Sequence, residues 1–426
     1  MAPRPDPDGG VREGAAMSRP LRIAFVYDAL FPYQRGGAER RFHELASRLR
    51  DRHEVHYYSW RHWDGPAVVE RDGITFHGVG VPRELYGGDG KRTVREAAAF
   101  AGALVRSLAR QRFDVVDCSA TPYVPVYACW AATRATGTPM VATWHEFWGE
   151  HWFSYLPHRR SVAQTAMQLE RHAVRFADRV VAVSDFTARQ MPGRTRADVV
   201  ENGMGLAPPA GLAPGGRAAN VLFVGRLIED KGVDILLRAM APVGEAIPDA
   251  RCVVIGDGPE RAALANLRDS LGLSEKVEFR GHVGEGELIA HLERAAVFAF
   301  PSVREGFGIC VAEAQAFGAV PVVARAPHSA ASTLVVDGVT GIVCEPNAEQ
   351  FATAICDLLR DRDRRDRMAA AAMRHAERWN WDTIASRMEG LYEETAGTRS
   401  RRAWPFGRQR SARSGPQPVN LESSSL

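Results

Sequence analysis

"AVFAFPSVREGFGICVAEAQAFGAVPVVA", residues 296–324, reads as an apolar strand, a turn, a helix and a second apolar strand. Short β-branched and aromatic runs bounded by Pro, Ser and Gly suit strands covered on both faces. A helix between two of them is the crossover of a parallel sheet. Glu305 lies on the turn, Glu313 about one turn into the helix, and Gly306, Phe307 and Gly308 between them. Carboxylates so placed accept from hydroxyls, while backbone N–H groups at a helix start donate to oxyanions. A polyhydroxylated, phosphorylated ligand fits that description; a helix-start glutamate followed by a solvated one is the plain alternative.

Outward from this stretch the same alternation recurs. Upstream, "NVLFVGRL", "RCVVIGDG" and "KVEFRGHV" are strands, with helical spacing in "VDILLRAMAPV", "PERAALANLRDSLG" and 285–295. Before them "GMGLAPPAGLAPGGRAAN" lacks periodicity and reads as a linker. Earlier still, "RIAFVYD", "HEVHYYSW", "FDVVDCS", "PMVATWH" and "RVVAVSD" alternate with polar or amphipathic segments such as "GGAERRFHELASRLR". The fold class expected is α/β, with two doubly wound Rossmann-like domains facing each other across a cleft. The divisions are a disordered start over 1–18, a first domain over 19–205, a linker over 206–218 and a second domain over 219–379. A helix over 380–396 closes the structure, and a disordered basic tail spans 397–426.

Composition agrees with a two-domain globular protein: 426 residues, 45% hydrophobic, net charge +3 with the signs interspersed. Nothing in that balance points to nucleic acid. The cysteines, at 118, 129, 252, 310, 344 and 356, form no C-x-x-C pair and suit a reducing cytoplasm rather than a disulfide framework or a zinc site. No apolar run approaches membrane-spanning length, and the start is acidic and proline-rich, unlike an export signal.

Lysine is scarce, at 91, 231 and 276 amid many arginines. Lys231 and Arg226 lie in "VGRLIEDKGVDILL", after a strand and before a helix, where free N–H groups and the helix dipole already attract phosphate. "VVIGDGPER" repeats the strand-to-helix theme, with Gly256 and Gly258 permitting close backbone approach and Pro259 suiting a first helical turn. Tight turns use the same residues for purely structural reasons.

Taken in order, "GRLIEDKG", "GDGP", "PSVREGFGICVAEAQAFGAVPVVA" and "GVTGIVCEP" make the chain resemble the retaining glycosyltransferases of family 4, with the GT-B fold, from about 21 to 395. The resemblance implies that Arg226 and Lys231 bind the diphosphate of a nucleotide-sugar donor. Glu313 would hold the ribose hydroxyls, Glu305 would bind sugar hydroxyls, and the backbone of Phe307, Gly308 and Ile309 would line sugar and phosphate. His282 and Val283, in "RGHV", would lie near the base. In the first domain "YQRGGAER" matches the family's glycine loop, so Gly36 and Gly37 would approach the donor, and His145 would stand beside the reacting sugar. No metal or other cofactor is implied; the nucleotide-diphosphate sugar is a co-substrate, and the acceptor is unidentified.

Other signals carry less. Asp361-x-Asp363 in "DRDRRDR" mimics a metal motif but lies in a charged helical stretch. "YGGDGKRT" departs from a P-loop at Leu85 and Arg92, and no G-x-G-x-x-G follows a first strand. "WHEFWGEHWFSYLPHRR", residues 144–160, is either a packed loop or an aromatic surface for sugar or membrane. The tail "RSRRAWPFGRQRSAR" is a solubilising segment or a weak peripheral contact with anionic lipid at the inner membrane face. The expected activity is cytoplasmic, retaining glycosyl transfer. Its rivals are an epimerase of the same architecture and a non-catalytic nucleotide-sugar-binding subunit.

Overall fold

The structure, a computed structural model, describes residues 19–34, 36–85, 93–193, 195–398 and 419–420. The first 18 residues, Lys91, the "YGGDGKRT" stretch up to Arg92, and the tail apart from 419–420 lie outside the described residues.

The first half runs β1 (Arg22–Val26), α1 (Gly37–Leu49), β2 (Glu54–Ser59), β3 (Val68–Arg71), β4 (Ile74–Gly78), α2 (Val94–Leu108), β5 (Val115–Ser119), α3 (Val124–Thr136) and β6 (Met140–Trp144). It continues through α4 (His151–Tyr155), α5 (Arg160–Ala173), β7 (Arg179–Ala182), α6 (Asp185–Gln190) and β8 (Ala197–Val199). The second half runs β9 (Asn220–Val224), α7 (Val233–Ala246), β10 (Arg251–Ile255), α8 (Arg261–Ser270), β11 (Val277–Gly281), α9 (Glu285–Arg294) and β12 (Val297–Phe300). Then come β13 (Arg304–Glu305), α10 (Ile309–Ala316), β14 (Val320–Ala324), β15 (His328–Ser329), β16 (Ile342–Cys344), α11 (Ala348–Arg360), α12 (Arg362–Ala376), α13 (Trp381–Gly397) and β17 (Val419–Asn420).

Strand order in the first sheet is β17-β3-β4-β2-β1-β5-β6-β7-β8, parallel except for the β3–β4 hairpin. The second is β11-β10-β9-β12-β14-β16, parallel throughout. Central strands such as β5, β6, β12 and β14 are buried at every residue, as sheets covered by helices on both faces require. The order reverses between β1 and β5 and again between β9 and β12, so each sheet offers a crevice at its strands' carboxyl ends.

The β3–β4 hairpin was absent from the sequence reading. Its turn is Asp72-Gly73, both at positive φ (50° and 72°). Asp-Gly between alternating apolar residues is a strong hairpin signal, and "VVERDGITFHG" carries it. A second correction concerns Pro259: α8 starts at Arg261 with Glu260 as its cap, so the proline precedes the first turn.

Each half has its own apolar core. The last helix, α13, crosses back to the first: Trp381, Ile384, Ala385, Met388, Leu391 and Tyr392 belong to the first half's core. The Tyr392 hydroxyl donates to Asp117 on β5 at 2.5 Å. Among the described residues no helix is long and apolar enough to cross a membrane.

Candidate active site

The loops leaving β9 and β12 meet above the switch point of the second sheet. Lys231 reaches Glu305 in a direct ion pair, both side chains about one-sixth exposed (17% and 16%). Burial pushes the Lys231 ammonium down, but Glu305 beside it more than offsets this and holds it above its ordinary value. The two loops are tied beneath the pair, because Val303 N–H and the Ser302 hydroxyl both donate to the Asp230 carbonyl (2.9 and 3.2 Å).

Arg226 is exposed on the same β9 loop. Gly256 and Gly258 pack against that loop: a Cβ on Gly256 would stand 1.9 Å from the Gly225 carbonyl oxygen, and one on Gly258 2.3 Å from that of Leu227. Their visible role is to seat the Arg226 loop. His282 is exposed and Val283 partly buried after β11, two strands from β9, and the structure does not bring them against the Lys231–Glu305 pair.

Glu313, on α10, accepts from the Gly205 N–H at 3.0 Å. Burial raises its carboxyl to about 7, against the pull of the Gly205 and Leu206 N–H groups and Arg40. Phe307 is buried in the second core, edge-on to Trp379, so only its backbone is offered to a ligand. Gly308, at φ 99°, caps α10, and its carbonyl accepts from the Val311 N–H at 2.9 Å.

From the first half, Gly36 caps α1, and a Cβ on Gly37 would lie 3.0 Å from Ile309 Cδ1. The glycine loop therefore abuts the start of α10 directly. His145 follows β6, stacked on Tyr27 and tilted against Phe42, and neither ring nitrogen has a partner. Burial, with Arg41 adding to it, lowers its pKa to about 3, so the ring is neutral at ordinary pH. Its carbonyl touches Gly306 so closely that a Cβ there would sit 1.8 Å from the oxygen. Ser184 and Thr187 hydroxyls donate to the Gly306 carbonyl at 2.7 and 3.2 Å, tying the two halves together.

The sequence singles out Trp148 only as part of the 144–160 aromatic stretch, and gives no individual role to Glu146, Arg304, Ser184, Thr187 and Arg40, which also stand at this junction. Glu146 and Arg304 each neighbour a residue it did single out, and that adjacency was the available signal. Asp361 caps α12 by accepting from the Arg364 N–H, and among the described residues no three His, Cys, Asp or Glu side chains gather to hold a metal. In the 144–160 loop, Trp148, Trp152 and Tyr155 pack on one another, with ring centroids 4.6–5.9 Å apart.

Comparison with known proteins places these features in a wider group. Residues 35–207 match the family described as Glycosyltransferase Family 4, and residues 212–375 match Glycosyl transferases group 1. A D-inositol 3-phosphate glycosyltransferase of Thermobispora bispora is 31% identical over 304 residues, covering 65% of this chain and 70% of that protein. The corresponding protein of Corynebacterium aurimucosum is 39% identical over 181 residues, 41% of this chain and 42% of the relative. A GDP-mannose-dependent alpha-(1-6)-phosphatidylinositol monomannoside mannosyltransferase of Mycolicibacterium smegmatis is 36% identical over 180 residues, 40% of this chain and 47% of the relative. The chain thus spans less than half the length of these last two relatives. Among solved structures, sucrose-phosphate synthase from Thermosynechococcus elongatus superposes with a TM-score of 0.73 at 20% identity, covering 88% of this chain and 99% of that one. Anabaena HepE in complex with UDP-glucose gives 0.69 at 22% identity, covering 88% and 100%. At such identities the likeness is one of fold.

Proposed function

The chain belongs to glycosyltransferase family 4 and has the GT-B fold, and on that premise we propose that it transfers a sugar from a nucleoside-diphosphate sugar to an acceptor hydroxyl with retention of anomeric configuration. The observation that carries the reading is the part-buried Lys231–Glu305 pair, its glutamate four residues before the start of α10, with the backbone of His145, whose ring is neutral and unpartnered, against the adjoining Gly306.

The donor's two halves would divide that ion pair between them. Its diphosphate takes Lys231, Arg226 and the α10 N–H groups, while the sugar hydroxyls take the Glu305 carboxylate. The bond from the anomeric carbon to the phosphate oxygen breaks, and negative charge grows where cations and helix N–H groups are already oriented. The acceptor oxygen bonds to the anomeric carbon on the same face, and its proton passes to the departing phosphate oxygen. His145, being neutral, can hydrogen-bond the sugar beside that carbon without adding positive charge near a developing oxocarbenium. Glu313 would hold the ribose hydroxyls, displacing its present Gly205 partner.

The relatives' names mention D-inositol 3-phosphate and a phosphatidylinositol monomannoside, so inositol-bearing acceptors are the first to try, at a cytoplasmic site. The test supplies UDP-, GDP- and ADP-linked α-sugars with inositol phosphates and reads the product's anomeric proton by NMR. One donor is expected to give an α-linked product. A β-linked product, or turnover of none of them, would remove the reading.

A further inference from the structure

Between the two halves, next to but outside the residues assigned above, lies a closed triangle of three side chains. Glu146 follows His145 on the β6 loop, and Arg304 precedes Glu305 on β13. Glu146 Oε1 accepts from Arg304 Nε at 2.7 Å, across the cleft. Glu146 Oε2 accepts from the Trp148 indole Nε1–H at 2.9 Å. The Arg304 guanidinium in turn lies over the Trp148 ring, 5.1 Å from its centroid. Arg304 is only 9% exposed, and its Nη2 has no partner.

The triangle is anchored from behind. Glu170 on α5, 4% exposed, accepts from the Trp148 and Gly149 backbone N–H groups (2.9 Å each) and from Trp152 Nε1 (3.1 Å). A rigid line therefore runs from α5 through the aromatic loop to Arg304 and on to Glu305. Two residues adjacent in sequence to His145 and Glu305 are locked to each other, and the backbones of His145 and Gly306 touch at the same place.

We propose that Glu146, Trp148 and Arg304 are positioning residues: a clasp between the halves that fixes the aromatic acceptor-side loop relative to the donor-sugar glutamate. Its consequence for rate rests on the glycosyl-transfer reading; its geometry does not. A salt bridge alone would serve stability. This arrangement also orients, because the Glu146 carboxylate, itself fixed by the indole N–H, and the Trp148 ring face hold Arg304 from two directions, and both ends of the pair abut proposed reacting groups. The loop is thereby a packed platform whose place is set by the donor loop opposite.

The test has two arms on the full chain. In the first, amide hydrogen exchange is read without ligand. Arg304→Gln, a change in the second half, is expected to speed exchange of the Trp148 and Gly149 amides in the first about tenfold, a typical coupling for contacting residues. Reciprocally, Trp148→Phe, which keeps an aromatic ring but loses the indole N–H and its fused five-membered ring, should speed exchange at 305–307. Unchanged exchange in both variants overturns the clasp.

The second arm is kinetic, with whichever nucleotide sugar the wild type consumes. Arg304→Gln should lower kcat about 10²-fold, the cost of an ångström-scale misplacement, with KM for the donor unchanged and Arg304→Lys recovering most of the loss. A rise in KM with kcat unchanged would make Arg304 a donor ligand and remove the positioning role. If the wild type consumes no nucleotide sugar, the glycosyl-transfer reading fails, and the exchange arm still decides whether the clasp exists.

Discussion

The two halves share an architecture but bury different things. The second core is built of Val, Ala, Leu and Phe, and among the described residues its buried charged side chains are Arg304 and Arg365. The first encloses Asp28, Glu39, Arg41, Glu96, Asp114, Asp117 and Glu170, together with His53, His56 and His77. Burying ions is costly unless they are paired, so these groups are tied into networks. Arg41, wholly buried on α1, donates to the Glu201 carbonyl and Asn202 Oδ1 at 2.8 and 2.9 Å. Asp117 accepts from Thr143 at 2.9 Å and from Tyr392. The lesson is a division of labour: the second half is an apolar frame with few buried ionisable groups, while the first is held in shape by many of them, most within its strands and helices.

The largest effect that would break this comparison concerns Lys231. Lys231→Ala should cut donor turnover about 10²–10³-fold, as loss of one preorganised charge-stabilising group does, while leaving urea unfolding nearly unchanged. Turnover is read as nucleoside diphosphate released. A variant that unfolds instead would make the pair part of the frame.

In the first half the expected order is reversed. Tyr392→Phe strips a donor from buried Asp117, whose carboxyl burial already raises to about 6. It should cost about 1–3 kcal/mol in urea unfolding, with nucleotide affinity unaltered.

Glu313 sharpens the contrast through pH. Its pKa near 7 means the carboxylate is lost as pH falls through neutrality. Nucleotide affinity should then weaken about tenfold between pH 8 and pH 6, following the ionised fraction, and Glu313→Gln should flatten the profile in a titration series. The linkage to stability has the opposite sense. A raised folded pKa favours the folded state fully below the unfolded value of about 4.5, and that contribution is lost as pH rises through about 7.

The smallest effect belongs to Asp361. As an exposed helix cap its replacement by Ala should cost about 1 kcal/mol, checked by unfolding with and without added divalent metal, with turnover unchanged.

Legibility followed the same division. Apolar strands ending in Gly, Pro and charged residues announce a parallel α/β sheet, and in the second half the ionisable residues between such strands stand out because the frame has almost none. Lys231 and Glu305, read from separate loops, are in contact. In the first half the same residue types occur inside elements. Nothing in "FDVVDCS" tells that Asp117 binds a tyrosine on the far C-terminal helix, nor does "QLERH" show that Glu170 organises the aromatic loop. Glu146 went unnoticed beside His145 because its partner is 158 positions away, at Arg304. The glycines of "GDGP" were ambiguous for the opposite reason, since a turn seated on a neighbouring backbone and a turn open to phosphate demand the same residue.

The most direct measurement is the thermal-melting shift of the wild type with UDP, GDP and ADP, beside Arg226→Ala and Glu313→Ala. A ligand bound only by the folded state raises the melting point. One nucleoside diphosphate is expected to do so, and both variants to melt normally alone but lose most of the shift. No shift with any of the three, or a shift undiminished in both variants, would contradict that expectation.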